Sequence, residues 1–236
     1  MAQPQTTSRK HGDIDSLFEP AGLYTGYEKN RVRTFSAYAF LKRTFDVLGA
    51  AIGIVALSPV FLLVSVCVKI EDPAGSVFFY QRRVGKNGKP FNMYKFRSMV
   101  TNAEQLLDGL LERNEVAGAM FKMKEDPRIT KVGKWIRRTS IDELPQLWNV
   151  LRGDMSLVGP RPALPREVEA YTAYDRLRLR AVPGCTGLWQ VSGRNRLSFD
   201  EMVKLDLVYM EQKSMLLDIK IVLRTVKVMF ASQDGC

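Results

Sequence analysis

The residues whose type and spacing best suit catalysis are two adjacent carboxylates, Asp142 and Glu143, here called the dyad. Ser140 and Glu143 have the spacing of a capping box, which predicts a helix that begins at Ser140 and carries both acids in its first turn. Helix N-termini stabilise anions by about 0.3–1 kcal/mol, so both carboxylates are expected to stay ionised near neutral pH. One could be a nucleophile in phosphoryl transfer, and the two could hold Mg²⁺ against a diphosphate. The alternative is that both acids only cap the helix.

Basic residues in the predicted loops and strand ends near the dyad favour the catalytic interpretation. They are Lys95, Arg97, Arg137, Arg138 and Arg161. Arginine binds phosphate oxygens through paired hydrogen bonds and offsets the charge that develops in phosphoryl transfer. Two prolines fix the backbone on either side of Arg161, which favours a binding role for it over an ordinary surface charge. Residues 193–195 could bind a nucleotide base or sugar through Arg194, or could form an ordinary turn.

Composition excludes several kinds of chemistry. The only histidine is His11, in a polar segment, so carboxylates must do any acid–base work. Three widely spaced cysteines argue against a disulfide framework and against a Cys-only zinc site, and they indicate a reducing compartment. The sequence contains neither a Walker A pattern nor a dinucleotide-binding glycine pattern, so kinase-like and nicotinamide chemistry have no support.

Length and charge limit the remaining functions. The chain has 236 residues and a formal net charge of +10, with 46% hydrophobic and 25% charged residues. It suits one domain, or one domain plus a membrane element, and it is neither intrinsically disordered nor polytopic. The excess of base predicts a polyanionic partner, which could be nucleic acid, anionic lipid or a phosphorylated substrate. Residues 1–35 are polar and aperiodic, which predicts a mobile tail.

An uncharged run of 22 residues, 47–68, is long enough to cross a bilayer core. Pro59 removes a backbone hydrogen bond in the middle of this run. Basic residues flank both ends, so a straight span would leave one basic cluster outside, against the positive-inside rule. We therefore predict a re-entrant helix hairpin over residues 38–70 that bends at Ser58 and Pro59, with the Ser58 hydroxyl satisfying a freed backbone group. A straight span and a buried core helix are the alternatives.

Residues 71–236 are predicted to form a cytoplasmic catalytic domain, so that the whole chain has an α/β fold that is mainly α. Strands are predicted over 76–80 and 91–97 around a turn at 84–90, which leaves Lys95 and Arg97 on one face of the second strand. A capping box at Thr101 and Glu104 predicts a helix that extends to residue 112. Residues 132–138 are predicted to form either a short helix or an extended segment.

The C-terminal third is predicted to end in two helices that combine apolar and basic residues. The last of them, over residues 215–230, carries Lys220, Arg224 and Lys227 on a polar stripe. Such a helix could pack on the domain or lie along a membrane surface as an interfacial amphipathic helix.

Eight segments together resemble the bacterial sugar transferase family, the small monotopic phosphoglycosyl transferases of surface-glycan assembly. They are residues 42–46, 57–59, 81–85, 94–97, 126–130, 140–147, 149–162 and 193–195. The set runs in order over residues 38–232 and is specific, although each segment alone is not. Many longer members carry extra N-terminal spans and a further domain, so this chain is expected to be a minimal catalytic module.

The resemblance implies a reaction and a location. Such enzymes move a sugar-1-phosphate from a UDP-sugar onto undecaprenyl phosphate, releasing UMP and making a lipid diphosphate sugar. This is the first membrane step of exopolysaccharide, capsule or O-antigen assembly. The implied location is the bacterial inner (cytoplasmic) membrane, with the catalytic domain on the cytoplasmic face and the hairpin in the bilayer. The resemblance does not identify the sugar, and it leaves a homodimer open.

The resemblance also implies residue roles. Asp142 would be the nucleophile, forming a covalent phosphosugar that undecaprenyl phosphate displaces in a ping-pong scheme. Glu143 would help to place Mg²⁺ or the acceptor. The residues that would bind phosphates or substrate are Lys95, Arg97, Arg137, Arg161 and Arg194, and Asp126 is a further position carried over from the family.

Two other classes of protein compete with the enzyme. A basic membrane-surface adaptor that recruits glycan enzymes would need neither the dyad nor the Gly-Pro-Arg-Pro segment at 159–162. A nucleic-acid binder would have basic residues interleaved with aromatic residues on a soluble face. Much of the basic charge here flanks the apolar hairpin instead, so no nucleic-acid partner is expected.

Overall fold

The computed structural model describes residues 37–107, 109–110, 123, 125–193 and 197–231. The helices in these residues are α1 (Ala37–Ala56), α2 (Ser58–Glu71), α3 (Lys131–Arg138), α4 (Gln146–Arg152), α5 (Pro165–Glu169), α6 (Leu188–Ser192), α7 (Phe199–Gln212) and α8 (Met215–Ala231). The strands are β1 (Phe78–Val84), β2 (Pro90–Phe96), β3 (Ser156–Val158) and β4 (Gly184–Thr186). The predicted fold class, α/β and mainly helical with a short β element, is confirmed.

The two strand pairs are small and differ in direction. β1 and β2 form an antiparallel hairpin in which Phe79 lies opposite Lys95, and β3 pairs with β4 in parallel. Both predicted strands of the hairpin are present, although β1 begins and ends later than predicted. The turn between them uses Asn87 and Gly88 with positive φ angles of 57° and 79°, conformations that these two residue types tolerate well.

The predicted bend in the apolar run is present at Leu57, between α1 and α2. Pro59 has no N–H for the carbonyl of Val55, and the Ser58 hydroxyl donates to that carbonyl at 2.8 Å, as predicted. Among the described helices, none is by itself both long and apolar enough to cross a bilayer, whereas α1 and α2 together, bent by 59°, meet that requirement by length and composition. The outward faces of both helices are apolar and exposed, including Ile52 and Leu62.

The bent helix pair, α1 and α2, shares its core with the rest of the protein. Ala50 of α1 packs with Met93 of β2 and Val150 of α4, while Val64 of α2 packs with Phe96 of β2. Strand β2 therefore contributes to two apolar clusters. Lys95 lies between Met93 and Phe96, which pack in these two clusters, so packing on either side fixes its position.

Both basic residues before the hairpin bend are directed into the protein. Lys42 Nζ lies 2.9 Å from an Asp46 carboxylate oxygen and 3.5 Å from one of Asp218. Arg43 donates to the carbonyl of Val150, in the last turn of α4, at 2.7 Å. Lys42 thus connects α1 to α8, and Arg43 connects α1 to α4. The charge pattern of the sequence alone does not reveal this structural role.

The predicted helix that begins at Ser140 is wrong. Ser140 has left-handed backbone angles (φ 56°, ψ 17°) and no capping hydrogen bond, and Ile141–Glu143 form a single 3₁₀ turn. Pro145 has no N–H to continue an α-helix onto the carbonyl of Ile141, which accepts the amide of Leu144 at 3.1 Å instead. Helix α4 begins only at Gln146, after this proline.

The predicted helix over 101–112 is also wrong in its described part. Residues 101–107 form successive turns, and the amide of Leu107 reaches the carbonyl of Glu104 rather than that of Ala103. The Ala103 carbonyl accepts from the Arg128 guanidinium at 3.4 Å. Residues 108 and 111–112 lie outside the described residues, as does the predicted tail. The segment at 132–138, left open between helix and strand, is helical as part of α3.

Helix α8 confirms the predicted last helix and shows two different faces. Asp218 and Ile221 are fully buried on one side. On the other side Lys220 is exposed as predicted, but so is a row of apolar residues, Leu216, Ile219, Leu223 and Val226. The outward surface of α8 is therefore both apolar and basic.

Candidate active site

The dyad lies on the 3₁₀ turn between α3 and α4, which redirects the chain through the left-handed Ser140. This turn places the two neighbouring carboxylates in different surroundings. Asp142 is only 7% exposed, whereas the Glu143 side chain is 34% exposed. The two acids therefore differ in solvation although they are adjacent in sequence.

Glu143 is held in its ionised form by basic neighbours. Its carboxylate accepts from Lys95 Nζ at 2.7 Å, which connects the turn to β2. Burial would raise the pKa of Glu143, but Lys95 and Arg161 outweigh it and lower the pKa to about 2. Glu143 is therefore ionised at any physiological pH, as expected from the sequence.

Asp142 behaves in the opposite way. Burial raises the pKa of its carboxyl to about 6, and the opposing effects of Lys95 and Arg137 do not offset that burial. Within the part of the chain that the structure describes, no side chain donates a hydrogen bond to this carboxylate. The helix N-terminus that was expected to stabilise Asp142 is absent, because residues 141–143 form a single 3₁₀ turn. With a pKa of about 6, Asp142 is still mostly ionised at neutral pH, but less readily than an ordinary aspartate.

The predicted phosphate-binding residues divide between two places. Lys95, Arg137 and Arg161 lie close enough to influence the charges of the dyad. Arg137 Nε also donates to the Ser98 hydroxyl at 2.8 Å, which orients it. Arg97 is engaged elsewhere, because its guanidinium binds the Asp72 carboxylate at 2.8 Å and the Asp72 carbonyl at 2.9 Å. Arg194 lies outside the described residues.

The other predicted position, Asp126, lies in a buried ion pair. Its carboxylate accepts from Nε of Arg128 at 2.9 Å and from Nη2 at 2.6 Å, and this lowers its pKa. The pair fixes the turn that leads into α3. Arg137, which influences Asp142, also acts on the charge of Asp126.

A cleft beside Glu143 contains residues that sequence reasoning missed. It has a volume of about 240 Å³ and is lined by Arg83, Met93, Glu143, Gln146, Arg161, Pro162, Gly184, Cys185 and Gln190. Arg83 lies in one of the family-like segments, 81–85, but its sequence context is typical of a basic residue that flanks a membrane. Side chains alternate between the two faces of a strand, so neighbouring residues of β1 must differ in burial, and this could have identified Arg83 as buried and Arg82 as exposed.

The dyad fits a magnesium ion that arrives with a substrate. Among the described residues there is no cluster of three or more acidic, histidine or cysteine side chains that could enclose a metal ion. Mg²⁺ commonly binds through one or two carboxylates and completes its coordination with water and phosphate oxygens, so a third protein ligand is unnecessary. Asp142 suits this arrangement because its buried carboxylate has no side-chain donor among those residues.

The fold and this site define a mainly helical protein in which an acidic dyad lies among basic side chains, with a bent pair of apolar helices, α1 and α2, in the same protein. Residues 37–232 match the model of the bacterial sugar transferase family. The chain belongs to this family, as the sequence motifs predicted.

Similar proteins carry related names. The chain is 44% identical to the exopolysaccharide production protein ExoY of Sinorhizobium fredii, over 82% of this chain and 87% of that protein. It is 47% identical to the undecaprenyl-phosphate galactose phosphotransferase of Salmonella typhimurium, over 94% of this chain but 47% of that protein. It is also 47% identical to the galactosyl transferase CpsE of Streptococcus agalactiae, over 85% of this chain and 47% of that protein. The chain thus spans about half the length of the last two relatives, and the predicted enzyme class, a phosphoglycosyl transferase, agrees with these names.

Proposed function

We propose that this protein transfers a sugar-1-phosphate from a UDP-sugar to undecaprenyl phosphate, giving undecaprenyl-diphosphate-sugar and UMP. The observation that carries the proposal is Asp142: a buried carboxylate, without a side-chain donor among the described residues, beside Lys95 and Arg137. A buried carboxyl whose pKa is raised by burial, with cations close by, is characteristic of a functional site. Membership of the sugar transferase family and the names of the relatives support the same reaction.

Asp142 is the nucleophile in the proposed first half-reaction. Its carboxylate oxygen attacks the phosphorus that bears the sugar, and the bond from that phosphorus to the bridging oxygen breaks. The bridging oxygen leaves with UMP and takes the bonding electron pair. In the second half-reaction, a phosphate oxygen of undecaprenyl phosphate attacks the same phosphorus and releases the Asp142 carboxylate.

The other residues of the site bind and orient. Lys95 and Arg137 lie near Asp142 and would hold the oxygens of the transferred phosphoryl group. Glu143 stays ionised beside Lys95 and Arg161, which suits a residue that positions a cation or the acceptor. Asp142 and Glu143 are the residues that would hold Mg²⁺, and a bound Mg²⁺ would offset the charge of the donor diphosphate.

The acceptor is a lipid, so the site must lie at a membrane surface. The exposed apolar residues of α1 and α2 would enter the bilayer as a re-entrant hairpin, with the bend at Ser58 and Pro59 as its tip. The apolar and basic outer face of α8 would lie along the interface. Trp148 on α4, 54% exposed, is of the residue type that membrane interfaces favour. We place this surface on the cytoplasmic face of the inner membrane, where UDP-sugars are made.

The reaction is tested by UMP release from detergent-solubilised protein with a panel of UDP-sugars, Mg²⁺ and undecaprenyl phosphate. Release that requires the lipid and the metal, and that is lost in Asp142→Asn, is the expected result, and it identifies the sugar. Folded protein that releases no UMP from any donor would contradict the proposal and would favour the adaptor. A full rate in Asp142→Asn would remove that residue as nucleophile.

The hairpin is tested separately by cysteine accessibility in intact cells. Single cysteines introduced before α1 and after α2 should both react only when the cytoplasmic side is exposed to reagent. Labelling of the two positions from opposite sides would make the segment a plain span.

A further inference from the structure

We propose that Arg83 binds the phosphate that leaves with the nucleotide, in the cleft beside Glu143. The inference rests on the proposed function and adds a residue and a subsite to it. It assigns to the cleft a nucleoside monophosphate, the leaving group of the first half-reaction.

Arg83 differs from the other buried arginines described in the structure. Arg128 and Arg178 each pair with a buried aspartate, Asp126 and Asp206 respectively. Arg83 is 6% exposed, but its guanidinium contacts neutral acceptors. Nε and Nη2 donate to the Gln81 side-chain oxygen at 3.1 and 2.6 Å, and Nη1 donates to the Pro162 carbonyl at 3.0 Å.

The charge of Arg83 is therefore buried without an ion-pair partner among the described residues. Burial of a charge is expensive unless a counter-charge or a set of hydrogen bonds compensates it. Burial lowers the pKa of Arg83 to about 10, and the neighbouring Arg161 acts in the same direction, whereas Glu167 and Glu143 oppose the shift without forming an ion pair with Arg83 among the described residues. Two of the five guanidinium N–H groups remain after these three bonds, and Arg83 lines the cleft. A dianionic phosphate is the ligand that such a group favours.

The lining of the cleft separates the two phosphates of the donor. Arg83, Arg161 and Glu143 line it, whereas Asp142 does not. Lys95 connects the cleft to β2, because its Nζ donates to the Glu143 carboxylate at 2.7 Å. Arg83 and Arg161 therefore lie on the Glu143 side of the dyad. The transferred phosphoryl group belongs beside Asp142, so the departing phosphate belongs beside Glu143 and Arg83.

The chemistry of the step gives Arg83 a specific task. When the phosphorus–oxygen bond breaks, the bridging oxygen keeps the electron pair, and the nucleotide phosphate changes from a singly charged diester to a doubly charged monoester. No proton needs to move. A fixed cation at this position stabilises charge that develops in the transition state, which is where an interaction accelerates the reaction.

The cleft also presents a polar group that a nucleoside could use. Gln190 lines it, and the buried side-chain oxygen of Gln190 has no hydrogen-bond partner among the described residues. A nucleoside hydroxyl or amide could donate to it.

The two half-reactions can be measured separately, which distinguishes this role from a structural one. Exchange of labelled UMP into UDP-sugar, without lipid acceptor, reports the first half-reaction. Exchange of labelled undecaprenyl phosphate into undecaprenyl-diphosphate-sugar, without UMP, reports the second. Arg83→Gln should slow the first exchange by about ten- to a hundredfold and change the second by less than about threefold, since one charge-assisted contact is lost. Arg83→Lys should recover part of the first rate.

Arg82→Gln is the matched control, because Arg82 is the adjacent, exposed cation on β1 and should change neither exchange. Binding of UMP to full-length protein by calorimetry gives a second readout that needs no turnover, and Arg83→Gln should weaken it about tenfold. Equal loss of both exchanges, or unchanged UMP affinity in Arg83→Gln, would overturn the subsite. If the wild type catalysed no exchange, the proposed reaction would fail, while the UMP affinities of wild type and Arg83→Gln would still decide the role of Arg83.

Discussion

Two buried aspartates stand on either side of helix α3 and have opposite electrostatic properties. Asp126 precedes the helix and is 5% exposed, and Asp142 follows it and is 7% exposed. Hydrogen bonds from the Arg128 side chain lower the pKa of Asp126, whereas burial raises the pKa of Asp142 to about 6. Two aspartates of similar solvent exposure therefore have opposite pKa shifts, because hydrogen bonds are the dominant cause at Asp126 and burial is the dominant cause at Asp142.

The two aspartates differ in the hydrogen bonds that their carboxylates receive. Asp126 receives the backbone amide of Arg128 at 3.0 Å as well as its guanidinium. Asp142 has cations nearby but receives no side-chain hydrogen bond among the described residues. An ionised carboxylate in that position costs folding free energy, which agrees with its proposed role as nucleophile.

The largest expected effect is on the free energy of unfolding, which should rise when the charge of Asp142 is removed and fall when that of Asp126 is removed. The pKa of Asp142 in the folded protein, about 6, lies above its ordinary value of 3.8. Its ionised form therefore opposes folding, and stability is lost as the pH rises through about 6. Asp142→Asn should raise the free energy of unfolding at pH 8 by about 3 kcal/mol, since a tenfold change in proton affinity is worth about 1.4 kcal/mol.

Asp126→Asn should do the opposite. The folded protein lowers the pKa of Asp126, so its ionised carboxylate stabilises the fold at pH values above its ordinary pKa. The substitution removes the negative charge from the buried pair with Arg128, at a cost of about 3–5 kcal/mol. Urea unfolding in detergent with EDTA present measures both variants, and Asp200→Asn, at an exposed position on α7, serves as the control. Destabilisation of similar size in both variants would mean that Asp142 is satisfied within the fold, and the comparison would fail.

The sequence reveals the apolar hairpin, its bend and the β1–β2 hairpin because local patterns determine them. Pro59 removes a hydrogen bond wherever it stands in a helix, and Ser58 has an acceptor within reach. The capping boxes were less reliable. Ser140 has the right spacing, but Pro145, five residues later, prevents the helix that the spacing implies.

The candidate site was only partly predictable for a related reason. The dyad and Lys95 lie in recognisable segments, and the structure brings them into contact. Arg97 has the same alternation as Lys95, but Asp72, 25 residues earlier in the chain, takes its guanidinium. In the sequence, Arg83 resembles a cation that flanks a membrane segment. In the structure, it donates to the carbonyl of Pro162, 79 residues away. Pairings over such separations depend on the tertiary fold, which spacing does not encode.

A smaller effect, about tenfold in the rate of UMP release, is expected from the pH dependence of Asp142 ionisation. The nucleophile must be ionised, so the initial burst of UMP release from UDP-sugar at limiting Mg²⁺ should fall about tenfold from pH 7 to pH 5, with an apparent pKa near 6. Saturating Mg²⁺ should move this midpoint to lower pH, because a bound cation favours the ionised carboxylate. Glu143, with a pKa of about 2, adds nothing to the profile in that range. The donor diphosphate does not titrate there, so the burst reports the enzyme alone.

Lys95 provides the check on this profile. It is the main cation that opposes the raised pKa of Asp142. Lys95→Met should therefore move the midpoint of the burst profile above 6, as well as slow the reaction. A burst rate that is flat between pH 5 and 8 would show that Asp142 is ionised throughout, and so is not the poorly solvated carboxylate described here.

The smallest effect tests a polar group in the hairpin that the protein satisfies by itself. The carbonyl of Val55 lacks an amide donor because residue 59 is proline, and the Ser58 hydroxyl replaces it. Ser58→Ala should lower the free energy of unfolding in detergent by about 1 kcal/mol, the usual value of one such hydrogen bond. Ser65→Ala is the matched control, because Ser65 also donates to a carbonyl, that of Phe61, at 2.6 Å within uninterrupted helix α2. The Phe61 carbonyl keeps its helical amide partner, so this variant should lose less, and equal losses would mean that the proline leaves no acceptor for Ser58 to satisfy.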